Sequence, residues 1–275
     1  MARQRLGQHF LSDIECREQI ARAIGVSRHT IGGVRAGGEN SCWIEIGAGH
    51  GEMTEHLAAS GARVYAVEID APLIGGLHRL AKQYANLTVI SGDILEVDLA
   101  AIAKGRRVRV YGNLPYYVTS PILHRLFAVS DLLDEIHIVI QQEVALRLAA
   151  APGSSDYGYL TVITQYFSRP DIALEIPPEA FTPPPEVDSA LVSLRFPGAR
   201  SGLAITDEKR FFEFVKLCFA KKRKTLVNNL RSLATPAMVS EALAAVELRP
   251  DARAEQLSVA QLAALHAQMP PEKNL

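Results

Sequence analysis

Four consecutive residues, Asn113-Leu114-Pro115-Tyr116, carry the most specific chemistry in the chain. They follow the apolar run "RVRVYG" (107–112), which reads as a strand, so they leave its carboxyl end together. An amine on an aromatic ring is a poor nucleophile because its lone pair is delocalised into the ring. Two hydrogen-bond acceptors can hold its two N–H groups and favour a more tetrahedral nitrogen, with the lone pair turned toward an electrophile. The side-chain oxygen of Asn113 supplies one acceptor and the backbone carbonyl of Leu114 the other. Pro115 stiffens the turn and removes a competing N–H donor. Tyr116 offers a flat face on which a base can stack.

Other chemistry-bearing residues sit at equivalent places earlier in the chain. "EIGAGHGEM" sets Gly47, Gly49 and Gly51 between a strand pattern and a helix pattern, where glycines allow a tight turn and close approach to a ligand. The spacing is G-x-G-x-G, not the G-x-G-x-x-G preferred for dinucleotides. Glu68 ends the second strand, 21 residues after Gly47, where an acid accepts hydrogen bonds from ribose hydroxyls. Asp93, in "SGDIL", lies just past the third strand, within reach of an adenine amino group. All these positions fall at carboxyl ends of neighbouring strands, the edge where such sheets bind ligands. They point to an adenosine-bearing cofactor and leave NAD and S-adenosylmethionine both open. For a ring amine as nucleophile, a sulfonium methyl is the natural electrophile. Positioning and electrostatics would then do most of the work.

The elements that must position these residues alternate at short intervals. Strand patterns at 42–46, 63–70, 87–91, 107–112 and 135–141 interleave with helical patterns at 52–60, 72–84, 121–129 and 142–150. Such alternation predicts an open parallel α/β sheet covered on both faces. The segment 158–167 fits either period. "DIALEI" and "SALVSLRF" read as two strands added like a hairpin at the sheet edge, on either side of a proline-rich stretch. After "PGARSG" the strand patterns stop and three helical segments follow, at 207–233, 237–248 and 258–268. The expected domains are 1–200, with a basic tail over 1–12, and an all-helical 201–275.

Net charge is −1 and the pI about 6.7, so the chain is not uniformly basic. Its charge is nevertheless uneven. Residues 1–35 hold six arginines, Arg3 and Arg5 among them, against three acids, and residues 200–235 hold nine basic residues against three acids. Lys221-Lys222-Arg223-Lys224 is the densest run and is suited to a phosphate backbone. Three scattered cysteines and eight scattered histidines predict neither a disulfide framework nor a metal site. No secretory signal and no membrane-length apolar run is evident, and a cytoplasmic location is expected.

Taken in order, these stretches resemble the bacterial small-subunit ribosomal RNA adenine dimethyltransferases. "GQHFL" (7–11), "EIGAGHGEMT", "VEID", "GDIL", "GNLPYYVTSPIL", "QQEVALRL", "FTPPPEVDSALV" and "FAKKRKTLVNNL" follow that family's order and spacing almost end to end. The resemblance implies a Rossmann-like seven-stranded methyltransferase sheet with a small helical C-terminal domain. It implies transfer of methyl groups from S-adenosyl-L-methionine to N6 of two adjacent adenines in a hairpin near the 3′ end of 16S rRNA. The partner would be the immature 30S subunit and the enzyme a monomer without a metal. Cofactor contacts would come from His9, Leu11, Gly47, Gly49, Glu68, Ile69, Asp93, Ile94 and Asn113. Asn113 to Tyr116 would form the catalytic turn, and Phe181 would close on the other face of the base. The C-terminal domain, with Lys221 to Lys224, and the tail arginines would bind RNA. Gln142, Tyr159 and Glu186 stand where the family commonly carries basic residues. Rival readings are a large-subunit rRNA adenine methyltransferase of the antibiotic-resistance type, a non-catalytic ribosome assembly factor on the same fold, and a dehydrogenase. The intact glycine loop and acids oppose the second, and the missing sixth-position glycine opposes the third.

Overall fold

The computed structural model describes residues 8–26 and 41–270. Among the described residues there are nine strands: β1 (Phe10–Leu11), β2 (Cys42–Ile46), β3 (Arg63–Glu68), β4 (Leu87–Ser91), β5 (Val108–Asn113), β6 (Leu133–Gln141), β7 (Arg169–Ile176), β8 (Phe181–Thr182) and β9 (Ser189–Arg195). The helices of the sheet-bearing half are α1 (Ile14–Ala23), α2 (Glu52–Ala59), α3 (Ala71–Ala81), α4 (Leu99–Ala103), α5 (Thr119–Phe127) and α6 (Gln142–Ala149). The rest are α7 (Tyr159–Phe167), α8 (Glu208–Cys218), α9 (Leu226–Asn229), α10 (Pro236–Ala245) and α11 (Val259–Ala267).

Seven strands form one sheet in the order β4-β3-β2-β5-β6-β9-β7. The pairs from β4 through β6 are parallel, and β9 joins β6 antiparallel. Every residue of the central strand β2 is buried, as layers on both faces require. The two late strands do extend the edge, but β9 lies inside β7 because it, and not β7, pairs with β6. Sequence periodicity did not anticipate β1. This two-residue strand pairs antiparallel with β8, setting Phe10 opposite Thr182 and Leu11 opposite Phe181. Two backbone amides, of Ser12 and Asp13, then donate to the Ala180 carbonyl, and the Asp13 side chain caps α1 at the Cys16 amide (2.7 Å).

The chain divides into two compact units. The first runs to Ala145 and resumes over Asp171–Phe196; the second holds Leu146–Pro170 and the chain from Pro197 onward. The sequence boundary near residue 200 thus marks only one of the crossings. The ambiguous segment 158–167 is helical, and α7 joins the second unit because its aromatics pack on α8. Tyr166 lies 5.5 Å from Phe211 and edge-on to Phe212 at 5.3 Å, and its hydroxyl donates to Glu208 Oε1 (2.8 Å).

Candidate active site

The glycine loop leaves β2 with three left-handed residues: Gly47 at φ 65°, Gly49 at 59° and Gly51 at 93°. At Gly49 a Cβ would press on the Phe10 ring at 3.3 Å; at Gly47 it would meet nothing within 4 Å, so that side of the loop is open. The loop amides are spent inside the protein. Gly47 and Ala48 donate to the Val67 carbonyl, and Gly51 to the Ala48 carbonyl. The Gly49 amide donates to Glu68 Oε2 at 2.8 Å, while Glu68 Oε1 accepts from the Asp70 amide at 2.8 Å. A dinucleotide fold offers such amides to a pyrophosphate. Here they are occupied, and one of them, that of Gly49, meets a buried carboxylate, which repels phosphate. The loop suits a nucleoside ligand that carries no phosphate.

Two adjoining cavities lie against this loop. The larger, of about 480 Å³ and open to solvent, is lined by Gln8, His9, Phe10, Gly47, Gly49 and Asn113 to Tyr116. The second, of about 330 Å³, shares Phe10, Gly47, Gly49 and Asn113 and adds Leu11, Glu45, Glu52 and Tyr111, among others. The candidate catalytic turn and the glycine loop therefore face one space. Asn113 ends β5, and its amide nitrogen donates to the His9 carbonyl at 2.8 Å. The Leu114 amide donates to the Val139 carbonyl at 3.0 Å, which pins the turn to β6. Tyr116 has its hydroxyl 3.0 Å from the Ser189 hydroxyl, and the His9 ring stacks on it at 5.8 Å and 24°.

Other candidates are placed differently. Glu68, Ile69, Asp93 and Ile94 lie at the ends of β3 and β4 rather than in either cavity. Ile69 is exposed, Ile94 is buried, and Asp93 accepts from the Leu95 amide at 2.9 Å. Phe181 is buried in the core opposite Leu11 and lines neither cavity. Arg3 and Arg5 fall outside the described residues. Lys221 to Lys224, which the periodicity placed on a helix, form an exposed turn between α8 and α9, with Arg223 left-handed at φ 64°. The helix breaks there because the Asn229 amide reaches back to the Cys218 (2.6 Å) and Lys221 (3.2 Å) carbonyls. Gln142 holds the Asp188 carbonyl with its backbone amide, and Glu186 is exposed. Burial raises the Tyr159 phenol above its ordinary range. Among the described residues no cluster of three His, Cys, Asp or Glu could hold a metal, and no helix is long and apolar enough to cross a membrane.

Glu45 and Tyr111 were missed by the sequence reading. They are cross-strand partners on β2 and β5, and both line the second cavity. Oε2 of Glu45 and the Tyr111 hydroxyl are buried without a hydrogen-bond partner. Burial pushes the Glu45 carboxyl up to about 8, with the nearby Thr54 hydroxyl opposing and Glu52 and Glu68 adding repulsion, and pushes the Tyr111 phenol up as well. An acid inside the apolar run "CWIEI" was the available signal. Two unsatisfied buried oxygens beside a glycine loop, one on a carboxyl that can ionise, fit a ligand bearing a cationic amine, as S-adenosylmethionine does.

A parallel sheet extended by the antiparallel β9, with a glycine loop and an Asn-Leu-Pro-Tyr turn at one edge, fits the methyltransferase class. A family model described as ribosomal RNA adenine dimethylase matches residues 1–269, and the chain belongs to that family. "Ribosomal RNA small subunit methyltransferase A" of Caldanaerobacter subterraneus is 38% identical over 269 residues, covering 96% of each chain. The Xanthomonas euvesicatoria protein of the same name is 39% identical over 259 residues, covering 94% of this chain and 93% of that one. In fold, the chain is similar to a dimethyladenosine transferase from Plasmodium falciparum, at TM-score 0.79 and 22% identity, over 94% of this chain and 96% of that one. It is also similar to the 23S rRNA methyltransferase ErmE, at TM-score 0.69 and 24% identity, over 94% and 99%.

Proposed function

We propose that this chain transfers methyl groups from S-adenosyl-L-methionine to N6 of two adjacent adenines in a hairpin near the 3′ end of 16S rRNA, on immature 30S subunits in the cytoplasm. The observation that carries the reading is the meeting of Asn113–Tyr116 with the glycine loop around one cleft. The small-subunit assignment is supported by the names of relatives at 38–39% identity.

Each residue then has a task. The bond from the Asn113 amide nitrogen to the His9 carbonyl fixes the amide, leaving its oxygen as the acceptor for one N–H of the adenine amine. The Leu114 carbonyl, on backbone pinned at Val139, accepts the other. Tyr116, oriented through Ser189, stacks on the base. Phe181 takes the other face, which requires the β1–β8 pair to open and release it from the core. S-adenosylmethionine supplies a sulfonium methyl when bound. Glu68 keeps lone pairs for ribose hydroxyls beyond the two amides it holds. Asp93 reads the adenine amino group between Ile69 and Ile94, His9 and Leu11 close the side, and Glu45 and Tyr111 receive the cationic amine. With the cofactor in place, the amine nitrogen held by Asn113 and Leu114 would bond to the methyl carbon as the sulfur–carbon bond broke, and the surplus proton would leave to solvent. Lys221 to Lys224, with Arg3 and Arg5, hold phosphates. Replacing the four turn residues with alanine should flatten the salt dependence of RNA binding, lowering the log–log slope by about 0.9 for every phosphate they neutralise.

The test is mass spectrometry of adenosines after incubation with unmethylated 30S particles, beside a 23S transcript. Dimethyladenosine in 16S rRNA is the expected product; methylation confined to the 23S transcript would refute the assignment.

A further inference from the structure

Among the described phenylalanines, tyrosines and tryptophan, Tyr117 is the one exposed ring, at 66% of its full accessibility, while the other exposed large apolar side chains are aliphatic. It follows Tyr116 in a short 3-10 turn, Tyr116–Val118, that starts at Pro115. Successive side chains of a 3-10 turn diverge by about 120°. One tyrosine of the pair can therefore face the cleft while its neighbour faces outward. Tyr116 is half-buried, lines the cleft and is anchored at Ser189. Tyr117 has no such anchor in the cleft and presents its ring to solvent at the rim, about 3.8 Å along the backbone.

A solvent-facing phenol at the rim leaves a flat ring face free, and the proposed substrate brings a base that can stack on it. A base drawn out of its stack leaves its neighbour without one stacking partner. When two adjacent adenines are both modified, each in turn is the base left outside. We propose that Tyr117 is a second stacking platform, which receives the nucleobase flanking the one held against Tyr116. This rests on the adenine-pair reading above. Stacking on a phenol is indifferent to which base is presented. One platform would serve whichever adenine stays outside, methylated or not, so it fits a reaction repeated on neighbours.

The test is equilibrium binding of a labelled hairpin RNA carrying the adenine pair, compared with the same hairpin in which the flanking adenine is abasic. The protein is unaltered, Tyr117→Ala or Tyr117→Trp. The unaltered protein should lose about 10-fold in affinity on the abasic RNA. Tyr117→Ala should show the same loss on intact RNA and no further loss on the abasic one, and Tyr117→Trp should restore both behaviours. Losses that multiply independently, or a Tyr117→Ala protein that binds intact RNA normally, would overturn the platform. Failure of the unaltered protein to methylate 16S rRNA in 30S particles would instead overturn the reading beneath it, a result the binding series does not depend on.

Discussion

Glu45, Tyr111, His137 and Ser193 stand opposite one another on β2, β5, β6 and β9, a row of polar side chains across the middle of the sheet. In the right half of that row every polar group is answered. His137 has Nδ1 at 2.9 Å from the Ser193 hydroxyl and Nε2 at 3.3 Å from Glu135. Glu135 in turn is bridged by Arg109 (3.6 Å) and Arg195 (3.5 Å) from its own cross-strand row. In the left half, Glu45 Oε2 and the Tyr111 hydroxyl are buried and unanswered. Both halves are deep in one unit, on the same face of the same strands. Burial therefore does not separate them; partners do. A buried polar network that is complete rigidifies a fold, whereas an incomplete one costs stability until a ligand completes it. The incomplete half lies beside the glycine loop and Asn113, so the same sheet is structural on one side and receptive on the other.

The largest break in that contrast should come from the receptive end. Asn113→Ala should lower methyl-transfer turnover by at least ~10²-fold, the scale of losing one preorganised polar group, with RNA affinity near normal. Single-turnover kinetics against RNA binding decides it, and equal turnover would remove the two-acceptor role. Glu45→Gln comes next. With its carboxyl near 8, Glu45 is mostly protonated at neutral pH and must lose that proton to meet a cationic amine. Cofactor affinity should then rise by up to about tenfold per unit as pH climbs toward about 8. It should fall again as the ligand's own amine, at about 7.7–8.0, deprotonates. Glu45→Gln should abolish the rising limb, and 5′-methylthioadenosine, which lacks the amine, should never show it; calorimetry across pH reads both. Smaller still is Tyr111→Phe. Deleting a hydroxyl with no partner should stabilise the ligand-free protein by about 1 kcal/mol while weakening cofactor binding. A loss of stability in denaturant melts would show that the hydroxyl is already satisfied.

The sequence displayed the receptive end better than the complete one. Glycines, acids and the Asn-Leu-Pro-Tyr turn are fixed by chain-local spacing, so the loop and the turn could be placed at strand ends before any coordinates. Register could not. Glu45 meets Tyr111, and His137 meets Ser193, only because of how β2, β5, β6 and β9 align, with a shift between Val108 and Arg109 that no periodicity carries. The β1–β8 pair is too short to have a period and joins residues about 170 positions apart, so the burial of Phe181 behind Leu11 was out of reach. The helical reading of 207–233 failed at the basic turn for another reason: one side-chain amide, Asn229, stops the helix.

The complete half supplies the mildest and most selective prediction. Desolvation lowers the His137 pKa, Arg109 and Arg195 add to that, and Glu135 opposes it. The Trp43 ring lies nearby, tilted, at 5.7 Å and Ser193 takes the other ring nitrogen, so the ring is held neutral. As pH falls below the ordinary histidine value of 6.5, the unfolded chain takes up a proton that the folded one refuses. Stability should therefore be full above that value and decline below it. Glu135, whose pKa is lowered chiefly by its hydrogen bond to His137, adds a second loss below the ordinary value of 4.5, as the unfolded carboxylate is protonated first. Both shifts lower stability as pH falls, in two successive windows. Urea midpoints measured across this range should show both, and His137→Gln should remove the upper one while leaving cofactor affinity and its dependence on Glu45 intact. A substitution at 137 that shifted cofactor affinity as strongly as one at 45 would mean that the row acts as a single unit, and the division between its halves would be wrong.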